Sequence, residues 1–186
     1  DFIGTEASLS EQFGVSRMAL RDAVRALDAY GVVETRKGAG GGIRVARGDP
    51  DRFINALAVQ MRLLGVAPAQ AFDAQFAIES QTAEMAAEHA TPTEIARLAA
   101  ILREAEASII DRPRWLEHIF AFHIALAEAA HSPALSLLLR AFIKILAPHY
   151  ARRTTRERAE GATANYKRLL NAVERRDGED ARAIMQ

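Results

Sequence analysis

The chain has 186 residues and not one cysteine. This absence excludes disulfide bonds, a cysteine nucleophile and a cysteine-ligated zinc finger, and it fits a reducing compartment. No apolar run reaches the roughly 18 residues that a membrane span needs, so we expect no membrane partner and a cytoplasmic location. The GxSxG, HExxH and dinucleotide-binding motifs are also missing, and we predict neither catalytic residues nor cofactors.

The chain has no excess of either charge, because 24 basic residues balance 24 acidic ones. Net charge therefore gives no argument for a nucleic-acid partner, and the distribution has to be considered instead. Between Ser16 and Arg47, seven basic residues outnumber three acidic ones. Such a local excess suits phosphate neutralisation and predicts salt-sensitive binding. The basic residues are Arg17, Arg21, Arg25, Arg36, Lys37, Arg44 and Arg47.

Two short helices joined by a tight turn are predicted at the start of the chain. The turn lies at Gly14–Val15, and Ser16 can cap the second helix because its hydroxyl accepts from a free backbone N–H. Gly31 follows the last apolar position of this helix, where a left-handed C-cap favours glycine. One helix face is apolar and consists of Leu20, Ala23, Val24, Leu27 and Tyr30.

The opposite face of the second helix is basic. Arg17, Arg21 and Arg25 are spaced four residues apart, which places them on one side of a helix. On an isolated helix such a face is commonly an ordinary solvated surface. The turn before it and the hairpin pattern after it favour a face that contacts DNA.

A β-hairpin is predicted after the second helix. Residues 32–36 and 43–46 are short segments with β-branched residues, joined by the glycine-rich tip Lys37–Gly42. The small tip residues let the backbone approach a phosphate or a minor groove closely. A nucleotide-binding loop is the weaker alternative, because P-loop spacing and a following helix are missing. The order of elements predicts a winged helix-turn-helix, which places one helix in the major groove of double-stranded DNA.

The remainder of the chain has the helix start and stop signals of an all-α domain. A turn-like linker, Arg47–Pro50, separates a first domain, residues 1–48, from a second, residues 49–186. The predicted helices are 51–64, 68–90, 92–110, 114–130, 133–150, 160–176 and 178–186, with 152–156 as a loop or a basic helix end. Six or seven antiparallel helices form a bundle, so the predicted fold class is mainly α with a small β wing.

The chain begins at Asp1 without a methionine, close to the first predicted helix. We expect a further N-terminal helix to precede it in the first domain. The absence of a leader peptide therefore carries little weight.

The two domains together resemble the FadR-type branch of the GntR family of bacterial transcription regulators, in which an all-helical FCD domain follows the winged helix. The resemblance is strongest over Gly4–Val45, where Thr5–Arg17 follows the family's helix-turn-helix pattern. Weaker matches are Ile78–Glu79, Phe122–His123, Ala127–Ala130 and Ala172–Asp177. The resemblance implies a homodimer that binds a near-palindromic operator and is gated by a small-molecule effector in the helical domain.

The resemblance also implies a set of DNA contacts. By family position they are Ser16, Arg17, Met18, Arg21, Lys37 and Gly38, and the neighbouring basic residues Arg25 and Arg36 complete the expected set. Many relatives have an arginine where this chain has Ala7, so one family contact is missing. Methionine cannot donate to a base edge, and we expect Met18 to make an apolar contact, such as with a thymine methyl.

The family's effector site is altered in this chain. Many members bind a divalent metal through an Asp, a His four residues later and two further His. Here Ile119 occupies the Asp position, His123 is retained, Tyr166 replaces the next His, and the last position falls beyond Gln186. Two ligands make a poor divalent site, so we predict no metal. A family arginine that binds effector carboxylates aligns with Gln75.

The resulting effector set is expected to be largely apolar, with a few polar anchors. It consists of Gln75, Glu79, Ile119, Phe122, His123 and Tyr166. By family analogy, an acyl or acyl-CoA-like effector is expected. The alternatives are that His123 has only a structural role and that the cavity lies elsewhere in the bundle.

Two other functions compete with a regulator. An enzyme would need His118, His123 or His131 to work with Glu117 or Glu128. The side chains of Glu117 and His118 diverge on a helix, and His123 lies at helical spacing from neither Glu128 nor His118. An architectural DNA-binding protein without an effector would not need the long helical domain. Both alternatives are therefore weaker than an effector-gated regulator.

Overall fold

The computed structural model describes residues 1–38 and 40–185. Two residues of the predicted elements, Ala39 in the wing tip and Gln186 in the last helix, lie outside the described residues. The chain divides into two compact units, Asp1–Phe53 and a second that begins at Ile54. The mainly helical fold with a small sheet confirms the predicted fold class.

The first unit has the elements of a winged helix-turn-helix in the expected order. They are β1 (Phe2–Gly4), α1 (Glu6–Phe13), α2 (Arg17–Ala29), β2 (Val33–Arg36) and β3 (Gly42–Val45). The strands form an antiparallel sheet in the order β1-β3-β2, so the wing has one strand more than the sequence predicted. Three residues are too few for an alternating pattern to reveal β1.

The core of the first unit is small, and local hydrogen bonds fix its turn. Gly14 has a φ of +63°, a left-handed conformation that glycine adopts without steric cost. Ser16 caps α2 as predicted, because its hydroxyl accepts from the Ala19 N–H at 3.2 Å. The buried apolar residues are Leu9, Leu20, Val24, Val33 and Ile43.

The predicted apolar face of α2 is only partly buried. Leu20 and Val24 are in the core, whereas Leu27 is 42% exposed and Tyr30 is 84% exposed. Leu27 borders an apolar hollow of about 410 Å³ within this unit, together with Ile3, Phe13 and Val15. The prediction was therefore wrong for Tyr30, which lies at the C-cap of α2 where the core ends.

The rest of the chain is helical, and no strand occurs among residues 54–185. The helices are α3 (Pro50–Leu63), α4 (Pro68–His89), α5 (Pro92–Ala107), α6 (Arg112–Ala129), α7 (Pro133–Arg153), α8 (Arg156–Glu174) and α9 (Gly178–Ile184). The bundle was predicted, but α8 begins four residues earlier than expected. Thr155 caps it by accepting from the Arg158 N–H, and only Thr154 and Thr155 separate it from α7.

The bundle core is built around α4, α6 and α8. Three alanines of α4, Ala83, Ala86 and Ala87, are fully buried, and their small side chains let the neighbouring helices approach closely. Phe122 of α6 and Leu169 of α8 fill the space against them without any exposure. This packing fixes the positions from which side chains reach the interior.

One described helix, α7, is long and apolar enough to cross a membrane by length and composition alone. A core helix of a bundle has the same property. Leu139, Phe142 and Leu146 of α7 are buried within this chain, and the helix packs against α4 and α6. The apolar side chains of α7 are thus at least partly buried inside the bundle.

Candidate DNA-binding and effector sites

The arginine face of α2 is exposed along its length, and its members differ in their partners. Arg21 forms an ion pair with Glu6 of α1, with Nη2 at 2.8 Å from the carboxylate. Arg25 lies 3.8 Å from Asp22. Arg17 forms no hydrogen bond or ion pair within the described part of the chain, although its charge contributes to the lowered pKa of Glu6. At the start of α2, Arg17 is therefore the arginine most readily available to a ligand.

The Arg21–Glu6 pair also joins the two helices of the helix-turn-helix. Arg21 donates from both Nε and Nη2 to the carboxylate, a fork that fixes the direction of the guanidinium. The hydrogen bond from Arg21 lowers the pKa of the Glu6 carboxyl below its usual range. Sequence spacing did not indicate this pair, because the partners lie 15 residues apart.

The remaining predicted DNA-binding residues lie on the helix start and the wing. Met18 is 75% exposed beside Arg17, an unusual position for an apolar side chain with no apolar cover. On the wing, Arg36 is paired with Glu34 at 2.7 Å. Lys37 is exposed without a partner in the described residues, and Gly38 follows it with a φ of +93°.

The helical unit contains a cavity of about 450 Å³. That volume lies within the usual range for small-molecule sites, about 300–1,000 Å³. Four helices contribute to its walls: α4, α6, α7 and α8. Its lining includes Phe72, Asp73, Gln75, Trp115, Ile119, His123, Tyr150, Arg153, Arg158, Ala162 and Tyr166.

Four of the six predicted effector residues line this cavity: Gln75, Ile119, His123 and Tyr166. The other two lie behind it. Phe122 is fully buried in the bundle core, with its ring centroid 5.4 Å from that of Tyr166. Glu79 is 2% exposed and contacts lining residues instead of the cavity itself.

A buried polar chain supports the inner end of the cavity. Gln75 donates from Nε2 to Glu79 Oε1 at 2.6 Å, and His123 Nδ1 lies 3.0 Å from the same oxygen. The His123 contact is short but lacks hydrogen-bond geometry, so it is an electrostatic contact. His123 Nε2 and the Tyr166 hydroxyl share a hydrogen bond of 2.9 Å. These four polar side chains link α4, α6 and α8.

The two tyrosines of the cavity are held in their neutral form. Burial raises the pKa of Tyr166 well above its ordinary value, and the nearby Glu79 carboxylate adds to the shift. Burial and the same carboxylate raise the pKa of Tyr150, although a hydrogen bond from Gln75 partly opposes the shift. Both phenols are therefore neutral hydrogen-bonding groups at physiological pH.

Several lining residues were not predicted from the sequence. Trp115 donates from its indole N–H to Thr163 Oγ1 at 3.0 Å, which joins α6 to α8 beside the cavity. Arg153 and Arg158 bring permanent positive charge to the lining. Arg153 belongs to residues 152–156, which the sequence suggested were a loop or a basic helix end, and Arg158 follows two residues after that stretch.

The residues at the metal position that the sequence resemblance implied do not fit a divalent ion. Ile119 is 3% exposed and has no donor atom, and Tyr166 keeps its proton because its pKa is raised. No group of three or more His, Cys, Asp or Glu able to hold a metal occurs in the part of the chain that the structure describes. His123 and the adjacent Glu79 carboxylate make two good ligands at this position, and zinc sites need at least three.

Elemental analysis tests this conclusion. Protein purified without metal-affinity steps should contain far less than one zinc, nickel or manganese per chain, because Ile119 and neutral Tyr166 cannot complete a coordination shell. A chelator should leave the melting temperature unchanged. One bound equivalent of any of these metals per chain would contradict the interpretation of the site.

A pH titration tests the state of the tyrosines. Two of the three tyrosines, Tyr150 and Tyr166, should stay neutral in the folded protein above a pH of about 10, where unfolded tyrosine ionises. A raised folded pKa leaves stability intact below that pH, and stability is lost as the pH rises further. The phenolate absorbance, measured on folded and on denatured protein, gives the number of ionised tyrosines in each state.

The double variant Tyr150→Phe, Tyr166→Phe is the control for that titration, because it should remove the late-ionising component alone. Ionisation of all three tyrosines together, before any loss of helical circular dichroism, would show that the cavity is open to water.

Comparison with known proteins identifies both units. Residues 3–43 match the family described as bacterial regulatory proteins, gntR family, and residues 70–186 match the FCD domain. The putative L-lactate dehydrogenase operon regulatory protein of Escherichia coli is 34% identical over 145 residues, which cover 76% of this chain and 55% of that relative. The chain thus spans about half the length of that relative.

Other matches cover a larger share of the matched protein. The HTH-type transcriptional regulator LutR of Bacillus subtilis is 26% identical over 194 residues, covering 100% of this chain and 86% of the relative. The solved structure of Streptococcus agalactiae GntR has a TM-score of 0.73 at 19% identity and covers 100% of this chain and 85% of that one. It shows the same fold. The chain belongs to the gntR family of bacterial regulatory proteins, with an FCD domain as its second unit.

Proposed function

We propose that this chain is a cytoplasmic transcription regulator of the FadR-type branch, which binds a near-palindromic operator as a homodimer under the control of a small-molecule effector. The observation that supports it best is the presence in one chain of an exposed, unpaired arginine at the start of α2 and of a preformed cavity in the FCD unit. An architectural DNA-binding protein would have no use for that cavity. The matched relatives are named as regulators and not as enzymes.

DNA recognition is assigned to the start of α2 and to the wing. Ser16, Arg17, Met18 and Arg21 lie where a recognition helix enters the major groove, and an arginine there can form two hydrogen bonds with guanine. Arg21 would exchange the Glu6 carboxylate for a base edge. Arg25, Arg36, Lys37 and Gly38 would contact the phosphate backbone.

Gel-shift titration at two salt concentrations tests this division. Arg17→Ala should weaken operator binding by about 1–3 kcal/mol and random-sequence binding much less, because a base contact is lost. Lys37→Ala should weaken both similarly and flatten the salt dependence, because a phosphate contact is lost.

The matched control for these variants is Arg62→Ala, which removes an exposed arginine from α3 outside the first unit. It should leave both affinities unchanged. Operator affinity that survives Arg17→Ala would show that α2 is not the recognition helix.

Dimerisation is assigned to the helical unit, because two half-sites must be held about one DNA turn apart, or a multiple of it. The apolar residues of α7 exceed what the bundle buries: Leu135, Leu137, Leu138 and Ile145 are only half-buried, whereas Leu139, Phe142 and Ile143 are buried. Leu63 and Leu64 at the end of α3 are also more than 70% exposed. These surfaces are available to a second copy.

Analytical ultracentrifugation tests the assignment. The full chain and residues 50–186 alone should both sediment as dimers at micromolar concentration, since the interface lies in the helical unit. A dimeric full chain with a monomeric fragment would move the interface to the first unit, and two monomers would contradict dimerisation.

The domain boundaries form part of the same proposal. We assign DNA binding to residues 1–48 and effector binding and dimerisation to residues 49–186. An additional N-terminal helix in the first domain would cover the apolar hollow beside Ile3, Phe13 and Val15, which are all partly exposed. Such a cover would remove apolar surface from water.

A further inference from the structure

We propose that the FCD cavity selects a ligand with an apolar body and one anionic group, and that Arg153 and Arg158 bind the anion while the inner end repels it. This inference rests on the proposed function, which makes the cavity the effector site. It departs from the sequence-based expectation that the cavity has no positive charge for a carboxylate.

The body of the ligand would lie against an apolar wall. Phe72, Ile119 and Trp115 line the cavity from two helices, and Trp115 has its only polar atom satisfied by Thr163. Apolar contacts of this kind favour a hydrocarbon or aromatic group through its removal from water. They give no preference for its charge.

The inner end of the cavity disfavours an anion. The Glu79 carboxylate lies directly behind Gln75 and His123, almost fully buried, and Gln75 uses its amide N–H toward that carboxylate. Gln75 Oε1 is buried without a hydrogen-bond partner, so an anion brought here would meet an unpaired acceptor oxygen as well as the carboxylate. A second buried negative charge here would meet like-charge repulsion at low dielectric.

The other end of the cavity has the opposite character. Arg153 is the last residue of α7, and Arg158 lies in the first turn of α8, where it donates to the Arg153 carbonyl at 3.1 Å. Neither arginine forms an ion pair with a carboxylate in the described residues. Arg156, between them in sequence, is by contrast paired with Glu160 at 2.8 Å.

Among the charged lining residues, only Asp73 is acidic, and it too has no ion-pair partner in the part of the chain that is described. The exposed end therefore has two permanent positive charges and one negative charge. Because Asp73 is exposed, water screens its repulsion of a ligand, but removing it should still strengthen anion binding.

A matched pair of fluorescent probes separates the charge from the body of the ligand. 1-Anilinonaphthalene-8-sulfonate and N-phenyl-1-naphthylamine share their rings and N–H group, and only the first has an anion. The full chain should bind the sulfonate more tightly, with an affinity that falls as salt is added. The double variant Arg153→Ala, Arg158→Ala should weaken sulfonate binding about tenfold, as expected for lost charge-assisted contacts, and leave the neutral probe unchanged.

Two control variants sharpen this test. Arg152→Ala removes an exposed arginine that does not line the cavity, and it should leave both probes unchanged. Asp73→Asn should tighten binding of the sulfonate alone. If the double arginine variant weakens both probes equally, or if Arg152→Ala has the same effect as the double variant, the anion assignment is overturned.

Filling the cavity tests the site independently of the charge. Ile119→Trp and Ala162→Phe each place a larger side chain in the lining, and both should abolish binding of both probes while helical circular dichroism is retained. If the probes still bind to both filled variants, the cavity is not the binding site and the proposed function loses its support. If filling abolishes binding but the arginine variants have no effect, the effector site stands and only the anion assignment fails.

Discussion

A buried carboxylate determines the organisation of the FCD unit. Glu79 is almost completely removed from water, and a charge in that position is costly unless polar partners surround it. Its partners come from different places: Gln75 one turn earlier on α4, and His123 on α6. Through His123 the constraint passes to Tyr166 on α8. Three helices are therefore held in one arrangement by the need to compensate one charge.

The cavity depends on that arrangement. The buried polar network includes His123 and Tyr166, two of the residues that the sequence resemblance places at a metal position. A metal holds its ligands through strong, directional bonds. The polar network of Gln75, Glu79, His123 and Tyr166 instead depends on contacts whose strength requires the exclusion of water. The Trp115–Thr163 hydrogen bond adds a further link between α6 and α8. The walls of the cavity are thus joined by contacts between side chains of these helices.

The two units differ in how they are stabilised. The helical unit has an extensive core in which alanines of α4 face large residues of α6 and α8. Among the described residues of the first unit, the core consists of only five, and much of the order of this unit comes from helix caps, the left-handed Gly14 and a three-stranded sheet. A small core of this kind contributes little to the free energy of unfolding. The unit should therefore be sensitive to substitutions at the turn between α1 and α2.

Local signals made most of the fold predictable. The caps at Ser16 and Thr91, the glycine at the turn and the prolines at helix starts marked elements whose bounds the structure confirms within a few residues. What escaped prediction depends on contacts between residues far apart in sequence. The strand β1 is too short to show a period, and the burial of α2 ends before Tyr30 because the core is small.

The candidate site was likewise predictable only where contacts between distant residues were not needed to find it. Gln75, Ile119, His123 and Tyr166 were brought to one cavity as the resemblance implied, whereas Phe122 supports it from the core. Arg153 and Arg158 were missed because their sequence context is a run of arginines at a helix junction, which is also typical of a solvated surface. Only the spatial position of that junction, at the exposed end of the cavity, distinguishes them.

The ion pair between Arg21 and Glu6 has a consequence for selectivity. In the proposed complex, Arg21 leaves a carboxylate that already accepts hydrogen bonds from its Nε and Nη2. A DNA sequence with guanine at the right step replaces both hydrogen bonds, whereas a sequence without it leaves them unreplaced. The pair thus acts as an internal competitor for the base edge, and incorrect sequences are penalised although no residue contacts them unfavourably.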